Sequence, residues 1–149
     1  MLSEVIKLGD IPGVDSNYFF DQFIKQAKEI KDGLIFMNIQ ETDFARHSED
    51  TDHYADILEI MDKRLPEAEQ PFTGEDILIV MADYGDDPTI GYAQHTREKV
   101  PLLIYKEKVH RKYVGERTSL TDIGATGSEF FSVEMPQNVI SFINTIMKL

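Results

Sequence analysis

The chain has 149 residues, a formal net charge of −12 and no cysteine, which excludes disulfides, thiolate metal sites and cysteine nucleophiles. Lys and Arg are scattered rather than gathered into a stripe, so an acidic chain of this kind argues against nucleic-acid binding. No apolar run approaches the roughly 20 residues of a membrane helix, and the segment from Met1 to Asp10 lacks the basic and apolar regions of a signal peptide, so a cytoplasmic protein with no membrane contact is expected.

Ser16 is placed to cap a helix over 17–31, because Phe19, Phe20, Phe23, Ile24, Ala27 and Ile30 recur at helical spacing before Asp32 and Gly33. The run 33–39 (GLIFMNI) predicts a strand buried on both faces, and 40–50 reads as a polar stretch. A second helix is expected over 51–65, with Tyr54, Ile57, Leu58, Met61 and Leu65 on one side and Pro66 barring its continuation. Strands are expected at 77–82 (ILIVMA) and 102–105 (LLIY). A helix follows from Ser119 or Thr121 to Phe131, and an amphipathic helix over 137–148 closes the chain. Alternating buried strands and helices predict one α/β domain, a mainly parallel sheet flanked by helices on both faces.

Ligands of such sheets gather beyond the carboxyl ends of the strands, and the polar residues fall there. Asp43 and His47 follow the first strand. Asp83, Tyr84, Asp86, Asp87 and His95 follow the second, whose end is expected beside that of the first. A carboxylate and an imidazole four positions apart can share an ion if their segment makes one helical turn, although Asp43 alone reads equally as a turn cap and His47 or His95 as a surface residue. Asp86 and Asp87 read as shaping the loop before Pro88, Asp122 as a helix cap, and His53 and His110 as solvent-facing.

In order, Asp43-x-x-x-His47, then Ala-Asp-Tyr-Gly-Asp-Asp-Pro at 82–88, then His-Thr-Arg-Glu-Lys-Val-Pro at 95–101 resemble the phosphopentomutases of the alkaline phosphatase superfamily. There the middle motif reads Ala-Asp-His-Gly followed by Asp-Pro, and the last His-Thr-Arg-Glu-x-Val-Pro. Thr121 to Thr126 resembles a further family segment, Ala-Asp-Ile-Gly-Ala-Thr, and 8–11 resembles the point where the family chain re-enters its core. The resemblance implies an alkaline phosphatase-like core of which residues 1–149 form the carboxyl-terminal, metal-binding part, without the cap domain or the amino-terminal nucleophile segment. It implies an isomerase that moves a phosphoryl group on a pentose phosphate or similar small phosphate ester with two divalent ions, commonly manganese.

One ion is carried over onto Asp43, His47 and His95. The Asp43-to-His47 spacing is one residue shorter than in phosphopentomutases but equals that of related phosphoglycerate mutases and alkaline phosphatases. The other ion would use Asp83 and the position of Tyr84, where a phenol of ordinary pKa about 10 replaces an imidazole and makes a poor ligand. Arg97 is expected to orient a phosphate or a carboxylate. Alone, the chain is expected to be inactive and to self-associate through a face left uncovered. A non-catalytic paralogue that keeps one ion for a binding or structural role is the alternative, favoured by Tyr84. An unrelated acidic interaction domain would require the motif order to be coincidence.

Overall fold

The computed structural model describes residues 5–7, 15–85, 87–89, 95–109 and 113–148; Asp86, His110 and the 8–11 segment singled out above lie outside them. The chain divides into two compact units, Glu4–Glu107 and a smaller one formed by Met1–Ser3 with Lys108–Leu149.

In the larger unit the order is β1 (Val5–Lys7), α1 (Ser16–Glu29), β2 (Leu34–Phe36), α2 (Glu41–His47), α3 (Thr51–Glu69), β3 (Leu78–Met81) and β4 (Leu102–Tyr105). Two two-stranded sheets stand in place of one mainly parallel sheet among the described residues. β1 and β2 pair in parallel, with Ile6 opposite Ile35, and β3 and β4 pair antiparallel, with Leu78 opposite Tyr105 and Met81 opposite Leu102. Phe20, Phe23 and Ala68 form a buried centre, against which Ile35, Met37, Ile39, Met61, Leu65 and Leu78 pack.

Several sequence expectations change here. The cap of α1 is Asp15, whose carboxylate accepts from the Tyr18 N–H at 3.0 Å; Ser16 is instead the first helical residue, buried, and donates to the Glu41 carboxylate. The 33–39 run is not buried on both faces. Ile35, Met37 and Ile39 face the core while Leu34 and Phe36 are exposed, Phe36 by 70%, so the backbone alternates as a one-sided strand does. Pro66 does not end the second helix, which runs on to Glu69. Pro66 and Asp62, the residue whose carbonyl loses its helical donor, are both exposed, so water can satisfy that carbonyl, and Leu65 and Ala68 are held by the core on either side.

The stretch read as polar contains α2, a helix too short to show periodicity. Its first residue, Glu41, is tied to the start of α1 through Ser16, and an anionic side chain at that N-terminus is favourably placed. Its last turn closes where Glu49 takes a left-handed φ of 53° and the Asp50 N–H reaches back to the Ala45 carbonyl at 2.9 Å. Asp50 then caps α3 by accepting from the His53 N–H at 2.9 Å. Ala45 and Arg46 are buried, which leaves Asp43 and His47 on a more open side of the turn.

In the smaller unit α4 (Thr121–Phe130) forms where a helix from Ser119 or Thr121 to Phe131 is expected, and α5 (Ile143–Ile146) replaces the expected closing helix. The long closing helix shrinks to one turn for an identifiable reason. Asn138 has a φ of 59°, and the backbone N–H groups of Ile140 and Phe142 are taken by side chains of α4. Asp122 accepts from Ile140 at 3.0 Å and so is not a helix cap; Thr126 accepts from Phe142 at 3.1 Å while its hydroxyl donates to the Asp122 carbonyl at 2.7 Å. Both side chains are buried. Replacing Thr126 by Val keeps the shape but removes the acceptor, and a buried unsatisfied N–H costs about 1–3 kcal/mol. Thr126→Val is therefore expected to lower the urea midpoint and Thr126→Ser to retain most of it; a Val variant as stable as the parent would show that this hydrogen bond contributes nothing.

Candidate metal centre

α2 is the first component of the site. One helical turn sets Asp43 and His47 on the same side, and His47 Nε2 lies 3.3 Å from Asp43 Oδ1. Their side chains retain 32% and 43% exposure, so the pair faces an accessible surface rather than a sealed core.

The second component comes from the chain between β3 and β4. After β3 the backbone turns through Asp83 and Tyr84 to Gly85, which forms an isolated antiparallel bridge to Thr96, the Thr96 N–H donating to the Gly85 carbonyl at 2.9 Å. A Cβ at Gly85 would lie 2.6 Å from the Glu98 nitrogen and 2.9 Å from its carbonyl oxygen. Only glycine permits this approach, and the bridge sets His95 beside Tyr84, their ring centroids 3.7 Å apart.

The two components meet although β2 and β3 belong to different sheets. The His95 ring lies edge-on to His47, centroids 5.2 Å apart at 70°, and the Tyr84 hydroxyl donates to Asp43 Oδ1 at 2.6 Å. Asp43, His47 and His95 each offer a ligand atom, and these atoms lie within 4.8 Å of one another. Two ligand atoms about 2.1 Å from a common ion are about 3.4 Å apart at a tetrahedral angle. The Asp43–His47 separation already matches this, and small side-chain rotations bring in His95. One carboxylate and two imidazoles suit zinc, manganese or iron with positions left for water, so the donor set fits a divalent ion.

Of the other residues singled out from the sequence, Asp83 is exposed in the bend after β3 and lies outside this three-residue group. Arg97 is exposed two residues beyond His95. Asp87 shapes its loop as expected: the Thr89 hydroxyl donates to it at 2.7 Å and the Thr89 N–H at 2.8 Å. These bonds, with a smaller contribution from the Arg46 charge, hold its carboxyl below the ordinary carboxylate value. His53 is exposed on α3. The feature missed in the sequence is Tyr84 as the contact between the two components; read only as a poor ligand, it is the donor to one predicted ligand and the ring against another.

The close approach at Gly85 yields a specific expectation. Gly85→Ala should separate the 83–85 and 95–98 segments and withdraw His95, and calorimetric titration with zinc should show affinity reduced by at least tenfold. An unchanged affinity would mean that the bridge does not position His95.

Residues 4–135 match the family described as the metalloenzyme superfamily. Among individual proteins, the chain is 36% identical over 149 residues to a phosphopentomutase of Kosmotoga olearia, an alignment that covers 98% of this chain and 37% of that protein. It is 41% identical over 141 residues to a phosphopentomutase of Desulfitobacterium hafniense, with 93% of this chain and 35% of that protein covered. A phosphopentomutase of Pectobacterium atrosepticum is 41% identical over 123 residues, with 81% of this chain and 30% of that protein covered. The chain thus spans about a third of the length of the curated relatives it matches. The alkaline phosphatase-like α/β class expected from the motifs is borne out at the level of the family. With the match covering most of its length and carrying the segments that bring Asp43, His47 and His95 together, this chain belongs to the metalloenzyme superfamily.

Proposed function

We propose that this chain provides the carboxyl-terminal, metal-binding part of a cytoplasmic phosphopentomutase-like isomerase, an enzyme that moves a phosphoryl group on a pentose phosphate or a similar small ester. The convergence of Asp43, His47 and His95 within 4.8 Å carries this reading, and the similarity to phosphopentomutases supports it. Asp43 supplies the anionic oxygen and the two imidazoles complete a ligand set for one divalent ion, with manganese the proposed occupant. Asp83 is proposed as a ligand on the adjoining side and Arg97 as the group that orients a phosphate, since its fork matches phosphate oxygens two at a time. When bound, the ion would polarise a phosphoryl oxygen and offset its negative charge. The chain is otherwise strongly acidic, so an ion is also what would let a phosphate approach at all.

A second reading has a specific observation in its favour. The Tyr84 phenol stands against both Asp43 and His95, where a neutral hydroxyl is a weaker ligand than an imidazole. A paralogue that keeps one ion for binding or structure, without turnover, is consistent with that contact. The two readings share the single-ion site and differ in catalysis.

Calorimetry with manganese and with zinc should give one ion per chain, and His95→Ala, which removes one of three ligands, should weaken binding by at least tenfold. Equal binding by the two proteins would remove His95 from the ligand set and the proposed centre with it.

The family nucleophile is not among the residues carried over onto this chain, and without one no phosphoenzyme forms. The purified 149-residue chain with manganese is therefore expected to interconvert neither ribose nor deoxyribose phosphates. Conversion above that of an Asp43→Ala control would show that the chain holds more of the catalytic apparatus than proposed.

A further inference from the structure

We infer that Tyr84 is a positioning residue for the ion, holding two of its three ligands in the arrangement that binds metal. The inference rests on the single-ion reading above and extends it to a residue outside the ligand set.

Tyr84 reaches both ligand-bearing segments at once. Its hydroxyl donates to Asp43 Oδ1, on α2, at 2.6 Å. Its ring lies 3.7 Å from the His95 ring at 37° between planes, on the segment that follows Gly85 across the bridge. The two contacts do different things. The hydrogen bond fixes the rotation of the Asp43 carboxylate by holding Oδ1, the oxygen that lies 3.3 Å from His47 Nε2, so the phenol restrains the oxygen that faces the imidazole. The ring contact closes one side of His95, and with His47 edge-on at 5.2 Å the imidazole is confined between two aromatic neighbours. An ordinary Asp-x-x-x-His turn has neither constraint, and His95 comes from a separate segment that the Gly85–Thr96 bridge ties to the chain after β3.

Tyr84 is itself well held, because Gly85, the next residue, is pinned against Glu98 and Thr96. A ligand set assembled from two separate stretches of chain loses conformational freedom on binding an ion; a side chain that already spans both stretches reduces that loss before the ion arrives. Outer partners of metal ligands typically change affinity by roughly 10–100-fold when removed.

The test uses the full chain and three proteins: wild type, Tyr84→Phe, which loses the hydroxyl and keeps the ring, and Tyr84→Leu, which loses both. Zinc and manganese affinities are read by calorimetry, metal-free melting by circular dichroism, and the ligand field by the visible bands of bound cobalt(II). The expected result is a loss of roughly tenfold in affinity for Tyr84→Phe and up to about 100-fold for Tyr84→Leu. Metal-free melting of Tyr84→Phe should be unchanged, and its cobalt bands shifted as the Asp43 carboxylate reorients. Affinity in Tyr84→Phe equal to or tighter than wild type overturns the inference, the latter because the phenol would then be competing with the ion. A fall in melting temperature and affinity together, with unaltered cobalt bands, also overturns it, by assigning Tyr84 a general structural role. If wild type itself binds no ion, the single-ion reading fails first; if wild type binds, His95→Ala does not and Tyr84→Phe matches wild type, only the role of Tyr84 fails.

Discussion

The backbone contact between Gly85 and Glu98 is the constraint on which the candidate metal centre depends. A methyl group at Gly85 would lie 2.6 Å from a main-chain nitrogen, well inside contact distance, so the two segments can approach this closely only because position 85 has no side chain. The bridge to Thr96 then brings His95 back from a loop to stand beside Tyr84. The α2 ligands meet this segment through the Tyr84 hydroxyl, on Asp43, and the His95 ring, against His47. The site is therefore assembled by main-chain geometry first and by side-chain chemistry second.

α2 provides the other fixed point. Its seven residues are too few to be stable by propensity alone, and it is held by the Glu41–Ser16 contact at one end and the turn into α3 at the other. Burial of Ala45 and Arg46 sets its rotation, and that rotation decides where Asp43 and His47 point. The large hydrophobic cluster of α1, β2, α3 and β3 thus acts on the site indirectly, by anchoring the helices between which α2 is strung.

What could be read in the sequence follows the same division. Asp43, His47 and His95 were legible as a group because their chemistry and order form a motif, while Asp83, expected as a ligand as well, stands outside that group; α3 and β4 were legible because their patterns are long or bounded by proline. α2 was not, because a single turn carries no periodicity; nor was the passage of α3 through Pro66, which depends on whether the deprived carbonyl faces water. The 33–39 run was misread because alternation between Ile35, Met37, Ile39 and Leu34, Phe36 is invisible when both faces carry apolar residues. The closing segment failed for a longer-range reason: its helical pattern is real, but Asp122 and Thr126, more than a dozen residues earlier, claim the N–H groups that a helix would need.

That last arrangement also links the motions of two parts of the smaller unit. The amides of Ile140 and Phe142 are bonded to side chains rather than to their own segment, so they are released when α4 turns away or unwinds and not by fraying of the chain end. Their solvent exchange should therefore keep time with α4, making two amides near the carboxyl terminus reporters on a helix that ends ten or more residues before them.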